Sequence, residues 1–120
     1  MSSSNRLKEQ VQHIINTIEN GIEITQDDID LGYVDNCMYE VGDIMSGFDY
    51  LSDALDIEYI VSADKTYKGA RVLVAFGGPN IWINTLTKEV EGYWWGDKCI
   101  MSYHDDAFNL DECLEEIYSY

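Results

Sequence analysis

The sequence predicts an α+β domain in which helices pack on one face of a four- to five-stranded antiparallel meander, in the order α-α-β-β-β-β(-β)-α. Three observations carry this reading. Apolar residues recur at helical spacing up to about residue 56 and alternate with period two from Ile57 onward. The alternating runs are short and separated by turn residues. A last helical pattern follows the final run. At 120 residues the chain fits one domain, 1–120, with a mainly helical and acidic part (5–56), a sheet (57–104) and a C-terminal helix (109–119).

Taken in order, residues 5–20 place Leu7, Val11, Ile14, Ile15 and Ile18 on one helical face, with Gly21 as a stop signal. Thr25 and Asp28 have capping-box chemistry suited to a short helical turn carrying Ile29. From Asp35 to Leu55, at roughly 100° per residue, Cys37, Val41, Ile44, Phe48, Leu51 and Leu55 share a face. This spacing predicts a further helix, with Asp35, Asp49, Asp53 and Asp56 gathered on the opposed face. Gly42 and Gly47 oppose it by about 1 kcal/mol each relative to alanine, and the apolar stripe outweighs them.

The strand runs are Ile57–Ala63, Ala70–Phe76, Asn80–Leu86, Val90–Trp95 and Lys98–Tyr103, rich in Ile, Val, Tyr and Trp. Asp64–Gly69 and Thr85–Lys88 read as hairpin connections, and Gly77, Gly78 and Pro79 as a sharper turn. Between Gly92 and Gly96, alternation points Trp94 opposite to Tyr93 and Trp95. One face enters the core, and the other is either covered by a helix or open as a contact patch. Asn109 and Glu112 resemble a capping box opening the last helix, with Leu110, Cys113, Leu114 and Ile117 facing inward.

Charge excludes several functions. There are 23 Asp and Glu against 7 Lys and Arg, a net charge of −16, in a chain that is 46% hydrophobic and so able to build a core. Direct binding of nucleic acid draws its affinity from Lys and Arg and is excluded; an anionic membrane surface is disfavoured for the same reason. The first residues lack the apolar run of a secretory signal, and no stretch approaches the ~18–20 apolar residues of a membrane span. Cys37, Cys99 and Cys113 form no C-x-x-C pair, which suits reduced thiols in the cytoplasm.

Catalytic and cofactor motifs fail on inspection. Reading a calcium loop from Asp27 puts Gly32 in register but places Ile29, Leu31 and Met38 where oxygen ligands are needed. Cys99, Cys113, His104, Asp105 and Asp106 lie close in sequence without a nucleophile signature, and Cys113 reads as a buried apolar residue. His104, Asp105 and Asp106 are suitable metal-ligand types but adjacent on a loop without a fourth partner, and His13 has no histidine one turn away. The glycines at 77 and 78 lead into a strand rather than a phosphate-binding helix. Lys65, Lys68 and Arg71 read as charges that blunt a sheet edge. No catalytic residue, metal or cofactor is expected.

The acids are unevenly placed. Residues 21–64 hold twelve Asp and Glu and no Lys or Arg, and residues 99–120 hold six more and no base. Ordinary helices intersperse charges and gain from pairs of opposite sign; a base-free block repels itself. On a helix, carboxylates four residues apart sit about 6 Å from each other, a spacing comparable to that of phosphates along a strand.

Small size, extreme acidity, an α+β fold and the absence of a catalytic motif together resemble the anti-defence proteins of phages and mobile elements. These include anti-CRISPR inhibitors and DNA-mimicking anti-restriction proteins. The likeness rests on the 21–64 acid run and the Asp105–Glu116 tail. It implies a non-enzymatic inhibitor in the cytoplasm of a bacterial host, docking on the basic DNA-reading surface of a Cas nuclease or restriction enzyme. The residues implied in docking are Asp35, Asp43, Asp49, Asp53 and Asp56, helped by Glu112, Glu115 and Glu116. The aromatic strand segment departs from mimics that are acidic throughout. Two other readings stand beside this one: a small-molecule or metal-ion module built on Trp82, Trp94 and Trp95, and a structural or regulatory oligomer with an acidic exterior.

Overall fold

The computed structural model describes residues 3–35 and 37–120. Helix α1 (Ser3–Asn20) is followed by two short helices, α2 (Gln26–Asp30) and α3 (Gly47–Ser52). The strands are β1 (Asp56–Val61), β2 (Tyr67–Ala75), β3 (Asn80–Asn84), β4 (Glu89–Trp94) and β5 (Asp97–Ser102), and α4 (Leu110–Tyr118) closes the order. The sheet runs β1-β2-β3-β4-β5 with every neighbouring pair antiparallel. This is the α+β architecture that the change of period predicts, and each strand lies within a few residues of its expected place.

The apolar stripe of α1 buries Leu7, Val11, Ile15 and Ile18, while Ile14 lies at the margin of the core. Gly21 ends the helix at φ +78, a conformation glycine adopts at little cost. α1 packs on β4 and β5, α4 packs on β2, and α3 lies against α4. Because strand side chains alternate, Ala70, Val72, Ile81, Ile83 and Val90 meet the helices in one core. Arg71, Leu73, Trp82, Asn84, Glu91 and Tyr93 stand on the opposite face. Gly92 belongs to the helix face: a Cβ there would come 2.6 Å from Val11 and 2.8 Å from Leu7, so its absence sets how closely α1 approaches. Trp94 is on the same face, with the Arg6 guanidinium 5.3 Å from its ring centroid.

Among the described residues of 35–55, only Gly47–Ser52 is helical, so the continuous helix expected there does not form. The chain instead folds residues 22–45 into a lobe closed by a short backbone clasp. Ile24 donates to the Asp43 carbonyl at 2.7 Å, Gly42 to that of Ile24 at 2.8 Å, and Met45 to that of Ile22 at 2.8 Å. Gly42, at φ +96, makes the bend. Cys37, Val41, Ile44, Phe48 and Leu55 are therefore exposed, and of the expected stripe only Leu51 is buried.

Two details of α4 also differ from expectation. Asn109 is left-handed and its side chain caps nothing. Asp106 takes that role, accepting from the N–H groups of Leu110 at 2.7 Å and Phe108 at 3.0 Å. Leu110, Cys113 and Leu114 are buried as expected, but Ile117 is exposed near the end of the helix.

Candidate docking surface

The base-free acid run falls mostly on the lobe between α1 and β1. α2 begins with the capping box read in the sequence: the Thr25 hydroxyl accepts from the Asp28 N–H, and the Thr25 N–H donates to the Asp28 carboxylate at 2.8 Å. Asp35 accepts from the Cys37 N–H at 2.8 Å, and Asp43 from the Glu40 N–H at 2.8 Å. Ser46 caps α3 by accepting from the Asp49 N–H at 3.1 Å. Tyr39 ties these pieces together, since its hydroxyl donates to the Asp49 carboxylate and accepts from the Ser46 N–H at 2.8 Å. Part of the acid content thus has a local purpose, because short carboxylates satisfy backbone donors in a segment with little regular structure.

The structure brings three of the expected docking acids together. Asp35, Asp49 and Asp53 line one groove of about 190 Å³ whose apolar wall includes Tyr33, Met38 and Met45. Asp43 sits in the closing clasp and Asp56 starts β1, where its carboxylate accepts from the Ile57 N–H at 2.9 Å. Glu112, Glu115 and Glu116 are exposed on α4. α4 is held beside α3 by the stacked rings of Tyr50 and Phe108, with centroids 4.4 Å apart, and by the close approach of Gly47 to Phe108 and Cys113. Among the described residues of the 21–64 run, Glu58 is the one acid in an ion pair, with Arg71 at 3.0 Å.

The sequence did not expose a second property of this lobe. Leu31, Tyr33, Met38, Val41, Ile44, Phe48 and Leu55 are all exposed, Tyr33 by 74% and Met38 by 70%. Tyr33 and Met38 line the groove with Asp35, Asp49 and Asp53, and Leu31, Val41, Ile44, Phe48 and Leu55 each directly adjoin an acid in the chain. The helical wheel hid them by assigning Val41, Ile44, Phe48 and Leu55 to a core.

Trp94 and Trp95 line one open cleft at the β4–β5 turn, and Trp82 does not join them. Trp94 faces α1, and Trp82 lies on the opposite face under Arg71, whose guanidinium is 4.3 Å from its ring centroid. Trp95 is 83% exposed at the β4–β5 turn with φ +54. The face bearing Trp82 also holds a polar network that sequence reasoning missed. Arg71 reaches Glu58 at 3.0 Å and Glu91 at 3.1 Å, and Glu91 further accepts from Asn84 at 3.1 Å and Tyr93 at 2.9 Å. Burial opposes ionisation of Glu91, but its hydrogen bonds to Asn84 and Tyr93 and the charge of Arg71 outweigh that and hold its carboxyl below the usual range. Strand alternation was the available signal, since Arg71 and Glu91 occupy non-core positions on β2 and β4.

His104 and Asp106 line a cleft that neither Cys99 nor Cys113 enters. Cys113 lies in the core, and burial followed by neighbouring carboxylates pushes its thiol up. Among the described residues, no three His, Cys, Asp or Glu side chains are placed to hold a metal ion, and no helix is long and apolar enough to cross a membrane. The fold and this surface define an α+β protein with an acidic, partly apolar lobe beside its sheet. Comparison with known protein families, with curated proteins and with solved structures found no match.

Proposed function

We propose that this protein is a non-enzymatic inhibitor whose 22–56 segment, the lobe with α3 and the start of β1, docks on a basic nucleic-acid-binding surface of a bacterial defence nuclease, of the Cas or restriction type, and blocks access of DNA. The supporting observation is the coincidence of two properties on one lobe: a base-free set of carboxylates and a group of exposed apolar side chains among them. An acidic exterior that served only solubility would have no use for exposed Tyr33, Met38 and Phe48. A protein partner uses both, because apolar anchors supply affinity while complementary charge steers encounter and fixes register. The groove of Asp35, Asp49 and Asp53, with its apolar wall, suits the aliphatic stem and charged head of an Arg or Lys side chain. Asp43, Asp56 and the α4 acids extend the negative field around it.

The test measures DNA cleavage by a panel of purified Cas and restriction nucleases with increasing inhibitor. The expected result is inhibition of at least one nuclease, weakened by about tenfold between roughly 50 and 300 mM NaCl. A similar loss is expected in a variant carrying Asp35→Asn, Asp49→Asn and Asp53→Asn. Inhibition indifferent to salt and to those substitutions would sink charge mimicry; no inhibition across the panel would sink the nuclease partner.

A further inference from the structure

The cleft beside α4, about 230 Å³ in volume, lies between the β3–β4 turn and the segment from Tyr103 to Glu112. Tyr103 is 4% exposed, and its N–H bonds the Lys88 carbonyl at 3.0 Å. Its hydroxyl has no hydrogen-bond partner among the described residues, although every fully buried side-chain nitrogen or oxygen among them has one. The hydroxyl therefore opens into the cleft that the ring lines. A buried phenol is ordinarily satisfied within its own chain.

Around it, the groups divide by sign. Lys88 and His104 come from the sheet side, and Asp106, Asp111 and Glu112 from α4 and the turn before it. Asp106 is committed to capping α4, and Asp111 accepts from the Tyr67 hydroxyl at 2.6 Å. The side chains of Lys88, His104, Asn109 and Glu112 make no hydrogen bond or ion pair among the described residues. The cleft thus holds an unused phenol, an unused ammonium and an unused carboxylate around a space below the ~300 Å³ at which pockets for drug-sized ligands begin. The acidic wall disfavours phosphates and other plain anions, whereas Lys88 gives a partner to a single carboxylate.

We propose that this cleft binds a small zwitterion of the α-amino-acid class, with its ammonium group on the Tyr103 hydroxyl and Glu112 and its carboxylate on Lys88. The site lies outside the 22–56 segment and shares only Glu112 with the acids of the docking reading. The experiment adds each proteinogenic L-amino acid singly to the ¹⁵N-labelled full chain and follows its amide resonances. The expected result is saturable shifts at Lys88, His104 and Asn109 with at least one amino acid, at low-millimolar concentration or tighter. Tyr103→Phe, which keeps the ring, and Lys88→Met, at an exposed turn position, should each weaken binding about five- to tenfold. The matching amine without a carboxylate should also bind more weakly. The absence of saturable shifts with every amino acid would overturn the proposal. So would shifts spread over the acidic surface and unchanged in Lys88→Met, a variant that remains informative if Tyr103→Phe does not fold.

Discussion

Arg71 is the residue on which the open face of the sheet is organised. It covers Trp82, meets the half-exposed Glu58 and holds Glu91, whose side chain is only 11% exposed. Glu58 is too solvated for its pair to contribute much, so the energy lies with Glu91 and Trp82. Replacing Arg71 by Met keeps an aliphatic stem over the indole but removes the charge and the donors. At pH 7 the expected loss is about 1–2 kcal/mol in urea unfolding, the scale of a charge-assisted hydrogen bond. The sign with pH follows from the lowered carboxyl of Glu91. Its contribution is present above the unfolded value and disappears as pH falls through the lowered folded one, so the gap between wild type and Arg71→Met should narrow as pH falls below the usual carboxylate range. A gap that stays constant with pH would mean that packing on Trp82, not charge, carries the effect. Gly92 gives a second residue-scale expectation. Gly92→Ala drives a methyl group to within 2.6 Å of Val11, and lifting α1 should cost about 1–3 kcal/mol by the same measurement.

At the scale of elements, the strands were legible because their alternation is enforced by burial on one face. α1 was legible because five apolar residues repeat without a competing signal. The stretch from 35 to 55 was not, although its wheel looked better than many real helices. Helical spacing is necessary for a helix but does not exclude local alternatives, and this segment is rich in residues that offer them. Asp35, Asp43 and Ser46 each bind a nearby N–H, Gly42 turns at positive φ, and Ile22–Ile24 provides backbone partners from outside the segment. That last contribution is long-range and invisible to any window. The candidate site was legible to the same degree. Its acids were named in advance and three of them do meet, but only Asp49 and Asp53 do so along a helix, α3 and its C-cap; Asp35 joins them through a folded loop, and Asp56 stands apart. The start of α4 shows a similar substitution of one cap by another. Asp106→Ala should destabilise the protein by about 1 kcal/mol through loss of the cap, whereas Asn109→Gly, which removes no cap and suits the left-handed backbone, should cost much less. Asp106→Asn keeps one acceptor oxygen where Leu110 and Phe108 each use their own, and should recover about half of the loss. Thermal unfolding of the three variants checks the order.

Across the whole molecule, the net charge of −16 works against the fold that carries it. Compaction brings carboxylates closer together than they stand in the unfolded chain, and in the lobe no Lys or Arg intervenes. The ion pairs on Arg71 are short-range and partly shielded from salt, so screening has more repulsion to remove than attraction to weaken. Raising NaCl from about 10 to about 500 mM shortens the Debye length from roughly 30 Å to a few ångströms. Stability should therefore rise, by about 1–2 kcal/mol, or several degrees in Tm for a domain of this size. A protein stabilised by balanced surface pairs would change in the opposite direction. The same reasoning separates docking from stability. Substituting Asn for Asp35, Asp49 and Asp53 keeps an acceptor for the Cys37 N–H and the Tyr39 hydroxyl while removing three like charges from one groove. That variant should melt at a higher temperature than the natural protein at low salt, and the difference should vanish at high salt. If these carboxylates are retained for a basic partner, the more stable protein will be the weaker inhibitor. Equal or lower stability at low salt would show that the acids hold the lobe together rather than strain it, and the groove would then be a structural feature of the loop.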